Sequence, residues 1–191
     1  MRLCSHIFIG MNAVNNNGVK LSFIKKFVFI LGNILPDIYL PIKRHHCWDS
    51  IKNISYHLDK LEKSDKYGII RYLRLGMTMH YVCDYFCRAH NDPTMHVNAK
   101  HVKYEFALGD YIDSHKEDVS ELLSEINENS EFVEEIQQEH LKYLEEMNML
   151  AWNYWADLLY SCKVCTNMFK RYAVWGTQRI FYRIGIIKYI N

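Results

Sequence analysis

The chain has 191 residues, 49% of them hydrophobic and 14% aromatic, enough for one sizeable core, and no composition break marks a second domain, so a single domain over residues 1–191 is expected. Lys and Arg total 23 against 22 Asp and Glu, a net charge of +1, so the overall field gives no argument for nucleic acid or an anionic membrane. Three prolines and eight glycines are few for a sandwich or barrel, and six cysteines are sparse for a disulfide scaffold, which leaves helices and a reducing compartment as the expectation.

The opening MRLCSHIFIGMNAVNNNG predicts a helix over about 4–14, ended by the Asn15-Asn16-Asn17-Gly18 turn. One basic residue, a short apolar run and no small-residue cleavage site do not make a signal peptide, so a cytoplasmic location is expected, with secretion by another route left open. A second helix is predicted over about 19–33 and stopped by Pro36. Lys25 and Lys26 interrupt its apolar run, so it reads as a buried helix rather than a membrane span, with a surface-bound amphipathic helix as the second reading.

Residues 48–63 place Ile51, Ile54, Leu58 and Leu61 on one helical face, and 66–89 make a long apolar helix closed by Asn91-Asp92-Pro93-Thr94. The next helix is predicted from Asn98 to about Ile112. An acidic stretch then opens behind Ser114, with Glu117 completing a capping box and Ser130 as a cap further on; its charges read as a solvated face. The Trp- and Tyr-rich remainder reads as helical core to about Ile187. Phosphate-binding glycine loops and a nucleophile elbow are absent.

Within this all-α pattern, residues 79–105 carry His80, Asp84, His90, His101 and Glu105. Burying such groups without partners costs several kcal/mol each, on the order of 2–7 kcal/mol for a neutral polar group, so they face water or bind something. His80 and Asp84 are four apart, as are His101 and Glu105, so each pair shares a helix face, and His90 stands where one helix turns towards the next. Imidazole and carboxylate without thiolate suit zinc in a catalytic setting that keeps positions for water. Ten histidines make any single one ordinary; the joint spacing carries the reading.

These motifs resemble those of the zinc-dependent phospholipase C family, which includes the bacterial phosphatidylcholine-preferring enzymes and the catalytic domain of clostridial alpha-toxin. His80, Asp84 and His90 meet the pattern His-x3-Asp-x5-His, and His101 and Glu105 meet the later His-x3-Glu. HVKYE looks like the HVKFE of the toxins, and HYVCD is similar to the family's His-aromatic-x-Gly-Asp, with Cys83 for Gly. Upstream, His6 matches the early His, Asp37 the early Asp, and His46 the following His, since HCWD resembles HFWD; His45 is the alternative.

The resemblance implies two or three Zn2+ ions: one held by Asp37, His46 and His80, one by His90, His101 and Glu105, and a third by His6, with Asp84 bridging the first and third. It implies a phosphoric ester hydrolase acting on a phosphoester or phospholipid, with Asp37 as the base and Glu105 as a second candidate. A related zinc nuclease and a non-catalytic metal-binding helical protein are the alternatives. No basic stripe with interleaved aromatics supports a strand-binding groove, so no nucleic acid partner is expected; no membrane span is expected either, and the oligomeric state is left open. The family's secreted enzymes use a processed N-terminal Trp as a ligand, where this sequence has Met1, and the toxins' lipid-binding sandwich has no counterpart here. Cys162 and Cys165 read as two helix-borne thiols, and His57, His96, His115 and His140 as lacking a motif partner, with His96 a weak candidate for substrate contact; Trp48 and Tyr81 read as packing by default, with lining of the cleft as the alternative.

Overall fold

The computed structural model describes residues 1–39, 47–64, 68–95, 99–119, 132–149 and 153–174. The predicted His45, His46 and His96, the Ser130 cap and the helix beyond 174 lie outside them. The fold is all-α: α1 (Leu3–Asn16), α2 (Phe23–Tyr39), α3 (Cys47–Lys63), α4 (Ile69–Tyr85), the short α5 (Arg88–Asn91), α6 (Ala99–Ser114), α7 (Phe132–Met149) and α8 (Tyr154–Phe169), with a 3-10 turn at Pro93–Met95 and a π turn at Lys170–Val174. Among the described residues there is no strand.

The sequence of α4 carries only three charges, Arg71, Arg74 and Asp84, and a helix that apolar is stable only when covered on most sides. It is the central element, packed by α1, α2, α3 and α8. Its buried Arg71 is satisfied by donating to the carbonyls of Leu61 and Tyr172, which ties α3 and the chain after α8 to its first turn. Around it Phe29, Ile9, Leu75, Met79, Leu108 and Phe169 are fully buried. Each such side chain stabilises by about 1.5–3 kcal/mol.

The α2–α4 contact is backbone on backbone. A Cβ on Gly32 would stand 2.2 Å from the Leu73 carbonyl oxygen, and one on Gly76 would stand 2.3 Å from that of Phe29. Only glycine permits this approach. It sets the C-terminal half of α2 over α4.

Three expectations change. Pro36 does not stop α2, which runs to Tyr39. The proline removes one hydrogen bond near the end of the helix, and its burial offsets that loss, so Asp37 stays helical. The helix expected over 66–89 ends at Tyr85: Phe86 and Cys87 make a tight turn through Val82 and Asp84 carbonyls, and Asp157 of α8 accepts the Arg88 amide that opens α5 (3.0 Å). Among the described residues Ser114 opens no helix: it is the last residue of α6, and turns follow to Val119. Its hydroxyl donates back to the carbonyl of Tyr111 (2.8 Å), the competing local bond that ends α6.

In α7 the residues Phe132, Ile136, His140, Tyr143 and Met147 are buried while Glu134, Glu145 and Glu146 are exposed, so the acidic charges there do form a solvated face.

Candidate metal centre

Five helices deliver side chains to one place: His6 from α1, Asp37 from α2, His80 and Asp84 from α4, His90 from α5, and His101 and Glu105 from α6. Seven of the eight predicted ligands are therefore brought together, and the eighth, His46 or His45, lies outside the described residues.

Asp84 stands at the middle. Its Oδ1 lies 3.5 Å from His6 Nε2 and 3.3 Å from His90 Nε2, and its Oδ2 lies 3.2 Å from His80 Nε2. Asp37 Oδ1 lies 3.5 Å from the same His80 nitrogen. Glu105 Oε1 lies 3.4 Å from His90 Nε2 and 3.0 Å from His101 Nε2. The donors fall into two triads, His6 with His80 and Asp84, and His90 with His101 and Glu105, each with ligand atoms within 4.8 Å of one another.

Local structure explains each placement. The i, i+4 spacing aligns His80 with Asp84 and His101 with Glu105. His90 is different. On an uninterrupted helix it would project about 80° away from His80 and about 120° away from Asp84. The turn at Phe86 and Cys87 swings it back onto both carboxylates.

His6 stacks on His80 with ring centroids 4.0 Å apart. His80 Nδ1–H donates to the Asn33 carbonyl oxygen at 2.9 Å. A carbonyl can only accept, so the proton sits on Nδ1 and a neutral His80 presents the bare Nε2 to Asp37 and Asp84.

The residues fit zinc. His6 is fully buried, yet neither ring nitrogen has a hydrogen-bond partner, a costly arrangement that a bound cation would relieve. Zinc bonds of about 2.0–2.1 Å place neighbouring tetrahedral donors about 3.3 Å apart, the scale of the histidine–carboxylate separations here.

Sequence reasoning missed two participants. The amino group of Met1 donates to Glu105 Oε1 at 2.8 Å and to Asp84 Oδ1 at 3.2 Å. The signal for it was the N-terminal amine ligand of the resembling enzymes. The carbonyl of Asn33, a main-chain atom, left no trace in residue types.

The charges separate the three carboxylates. Burial pulls Asp84 up, but His90, the Met1 ammonium and His80 outweigh it and hold the carboxyl well below its usual range. Burial likewise opposes ionisation of Glu105, and the Met1 ammonium with hydrogen bonds from His101 and His90 holds it low. Asp37 moves the other way: burial raises it, the negative charge of Asp84 adds to the rise, and His80 opposes. Burial, then His80 and the Met1 ammonium, hold His6 well below its usual value, so it stays neutral as a ligand must.

Behind the centre, Asp157 accepts from Tyr104 (3.0 Å) and Tyr143 (2.9 Å) as well as from Arg88, joining α5, α6, α7 and α8. Histidines away from the centre are held by packing: His140 stacks on Tyr85 and donates to Asn91 Oδ1, His115 stacks on Tyr111, and His57 stacks on the buried Tyr81. Cys162 and Cys165 are buried thiols on α8, and Cys165 Sγ lies 3.9 Å from that of Cys83.

No curated protein and no solved structure matches the chain. The family described as zinc dependent phospholipase C matches over residues 5–150, a span that holds every histidine and carboxylate of the centre. With that match over most of its length and these donors gathered in one place, the chain belongs to the zinc-dependent phospholipase C family.

Proposed function

We propose that the protein is a metal-dependent phosphoric ester hydrolase of the phospholipase C type, with His6, Asp37, His80, Asp84, His90, His101 and Glu105 holding two or three zinc ions. The observation that carries this reading is the position of Asp84, whose two oxygens meet three histidines from three helices at 3.2–3.5 Å. When bound, zinc polarises the phosphoryl oxygens and brings the pKa of a coordinated water near neutrality.

The chain's own residues supply the rest. Asn33 orients His80, burial keeps His6 neutral, and Glu105 gathers His90 and His101. Asp37 is the base: its side chain, 32% exposed, is the most open of the three carboxylates, and its Oδ1 lies 3.5 Å from His80 Nε2. Water attacks phosphorus, the P–O bond to the leaving alcohol breaks, the water proton passes to Asp37, and a proton returns to the departing oxygen.

The test is hydrolysis of a soluble generic phosphodiester by zinc-loaded protein, beside short-chain phosphatidylcholine and single-stranded DNA. Turnover of the phosphodiester and the lipid, lost in Asp84→Asn, is the expected result. Activity retained in zinc-replete Asp84→Asn protein would overturn the reading, and activity on DNA alone would replace it with a nuclease.

A further inference from the structure

The outer face of α2 is apolar where a surface helix normally carries charge. Phe29, Gly32, Asn33 and Pro36 are buried on the inner side. On the opposite side, Phe23, Ile24, Phe27 and Ile38 are 84%, 58%, 59% and 56% exposed, and Leu31 and Ile34 between them are half-buried. Their spacing of three, four and seven residues makes one continuous stripe along the helix. Scattered apolar side chains on a surface are ordinary, but a helix with apolar residues on both faces has one face that lacks its environment.

The same end of the molecule carries further exposed apolar side chains. Phe29 meets Gly76, Gly32 meets Leu73 and Gly76, and Asp37 meets His80, so α2 and α4 run in the same direction. Their first turns lie at one end, where Ile69 and Ile70 of α4 are 48% and 63% exposed.

Charge indicates the occupant. The near-zero net charge conceals an asymmetry: residues 1–36 contain Arg2, Lys20, Lys25 and Lys26 and no acidic residue. Lys26 is exposed in the first turn of α2, next to Phe27 in the chain, and Lys20 is exposed three residues before the helix begins. A second copy docking through this face would bring two sets of lysines together, and the single carboxylate of α2, Asp37, is turned towards His80. Apolar side chains flanked by lysines suit the interface of a bilayer carrying anionic head groups.

We infer that the outer face of α2 is a docking surface for an anionic phospholipid bilayer, with Phe23, Ile24 and Phe27 entering the acyl boundary and Lys20 and Lys26 meeting the head groups. Ile38, at the far end of the stripe, adjoins Asp37. A bilayer along this face would lie near the end of α2 that carries Asp37, which would let the hydrolase take lipid from the membrane plane. That consequence rests on the proposed hydrolase activity; the docking itself needs only the helix face.

The test is flotation of the full chain with vesicles of phosphatidylcholine alone and of phosphatidylcholine mixed with phosphatidylglycerol, at low and high salt. The protein is expected to float with the anionic vesicles and to be released by salt. Phe23→Ser/Phe27→Ser is expected to abolish flotation with an unchanged melting temperature, because both side chains are exposed. Lys20→Gln/Lys26→Gln is expected to weaken binding to anionic vesicles roughly 30-fold, about fivefold for each lysine at about 1 kcal/mol apiece.

Equal flotation of the double Ser variant and the parent would overturn the inference. So would a parent that ignores vesicles but runs as a dimer that Phe23→Ser/Phe27→Ser converts to monomer, since the face would then join two copies. Flotation requires no turnover. A protein that floats but hydrolyses nothing would leave docking intact and sink the hydrolase, and one that cleaves soluble phosphodiester but never floats would sink docking alone.

Discussion

His80 donates its Nδ1–H to the main-chain carbonyl of Asn33 at 2.9 Å, and through that bond a residue of α2 decides which nitrogen of α4's histidine faces Asp84. Outer partners of this kind set the tautomer and ring angle of a metal ligand. Asn33 is in turn hemmed in by α1: a Cβ on Gly10 would stand 2.8 Å from Asn33 Oδ1, and Asn33 Nδ2 is engaged with the Phe29 carbonyl. Gly10→Ala is therefore expected to displace Asn33 and lower zinc affinity by about tenfold, the lower end of the usual loss for an outer partner. Competition against a chromophoric chelator measures it; unchanged affinity would mean that His80 is held by other contacts.

Zinc should stabilise the folded chain because the donors come from five separate helices and are not assembled when the chain unfolds. Zinc at about a hundred times its dissociation constant adds about 2.7 kcal/mol by mass action. For a chain of this length that is a rise in Tm of roughly 5–10 °C. Scanning calorimetry with zinc and then with chelator should show the rise and its reversal, and His90→Ala should reduce it. A Tm indifferent to zinc would remove the metal from the account.

Gly76→Ala probes the α2–α4 contact. The atoms that an added methyl would meet, the Phe29 carbonyl oxygen and the Asn33 amide nitrogen, are main chain, so no side chain can swing away and the helices must separate. The expected cost is about 1–3 kcal/mol in urea unfolding, as for other overpacked sites. The variant should also bind zinc more weakly, because separation draws Asp37 from His80, now 3.5 Å apart. Lost stability with full zinc affinity would show that the centre does not depend on this contact.

Asp157 gives a pH signature. Burial pushes its carboxyl up to about 6, against the pull of the Arg88 amide and the Tyr143 and Tyr104 hydroxyls. A raised folded-state value for an acid means that the fold favours the protonated form. Its contribution is thus complete below the ordinary value of 3.8 and is lost as pH rises through about 6. The loss amounts to at most about 3 kcal/mol, from about 1.4 kcal/mol per unit. Asp157→Asn cannot titrate, so the stability of the parent minus that of the variant should fall across this window in paired urea titrations. A difference that stays flat would place the folded-state value near 3.8.

Most of the helices were legible because apolar periodicity is local: α1, α3 and α6 begin and end within about two residues of their predicted bounds, the ordinary uncertainty of helix ends. The failures were places where a distant group overruled a local signal. Pro36 reads as a stop until the folded chain buries it, and Phe86-Cys87 reads as helix until Asp157, sixty-nine residues after Arg88, accepts the amide that starts a new one. Ser114 went the other way, bonding to its own helix rather than to the next.

By itself the sequence determined the helical class, the two i, i+4 pairs His80/Asp84 and His101/Glu105, and the chemistry of those donors, because each depends only on residue type and the pitch of one helix. Tertiary structure alone decided the meeting of His90 with Asp84 and Glu105, the tautomer of His80, the place of the Met1 amine, and the apolar face that α2 turns outwards. Each of those is a relation between segments, fixed by which surfaces pack together and which main-chain atoms packing brings within reach.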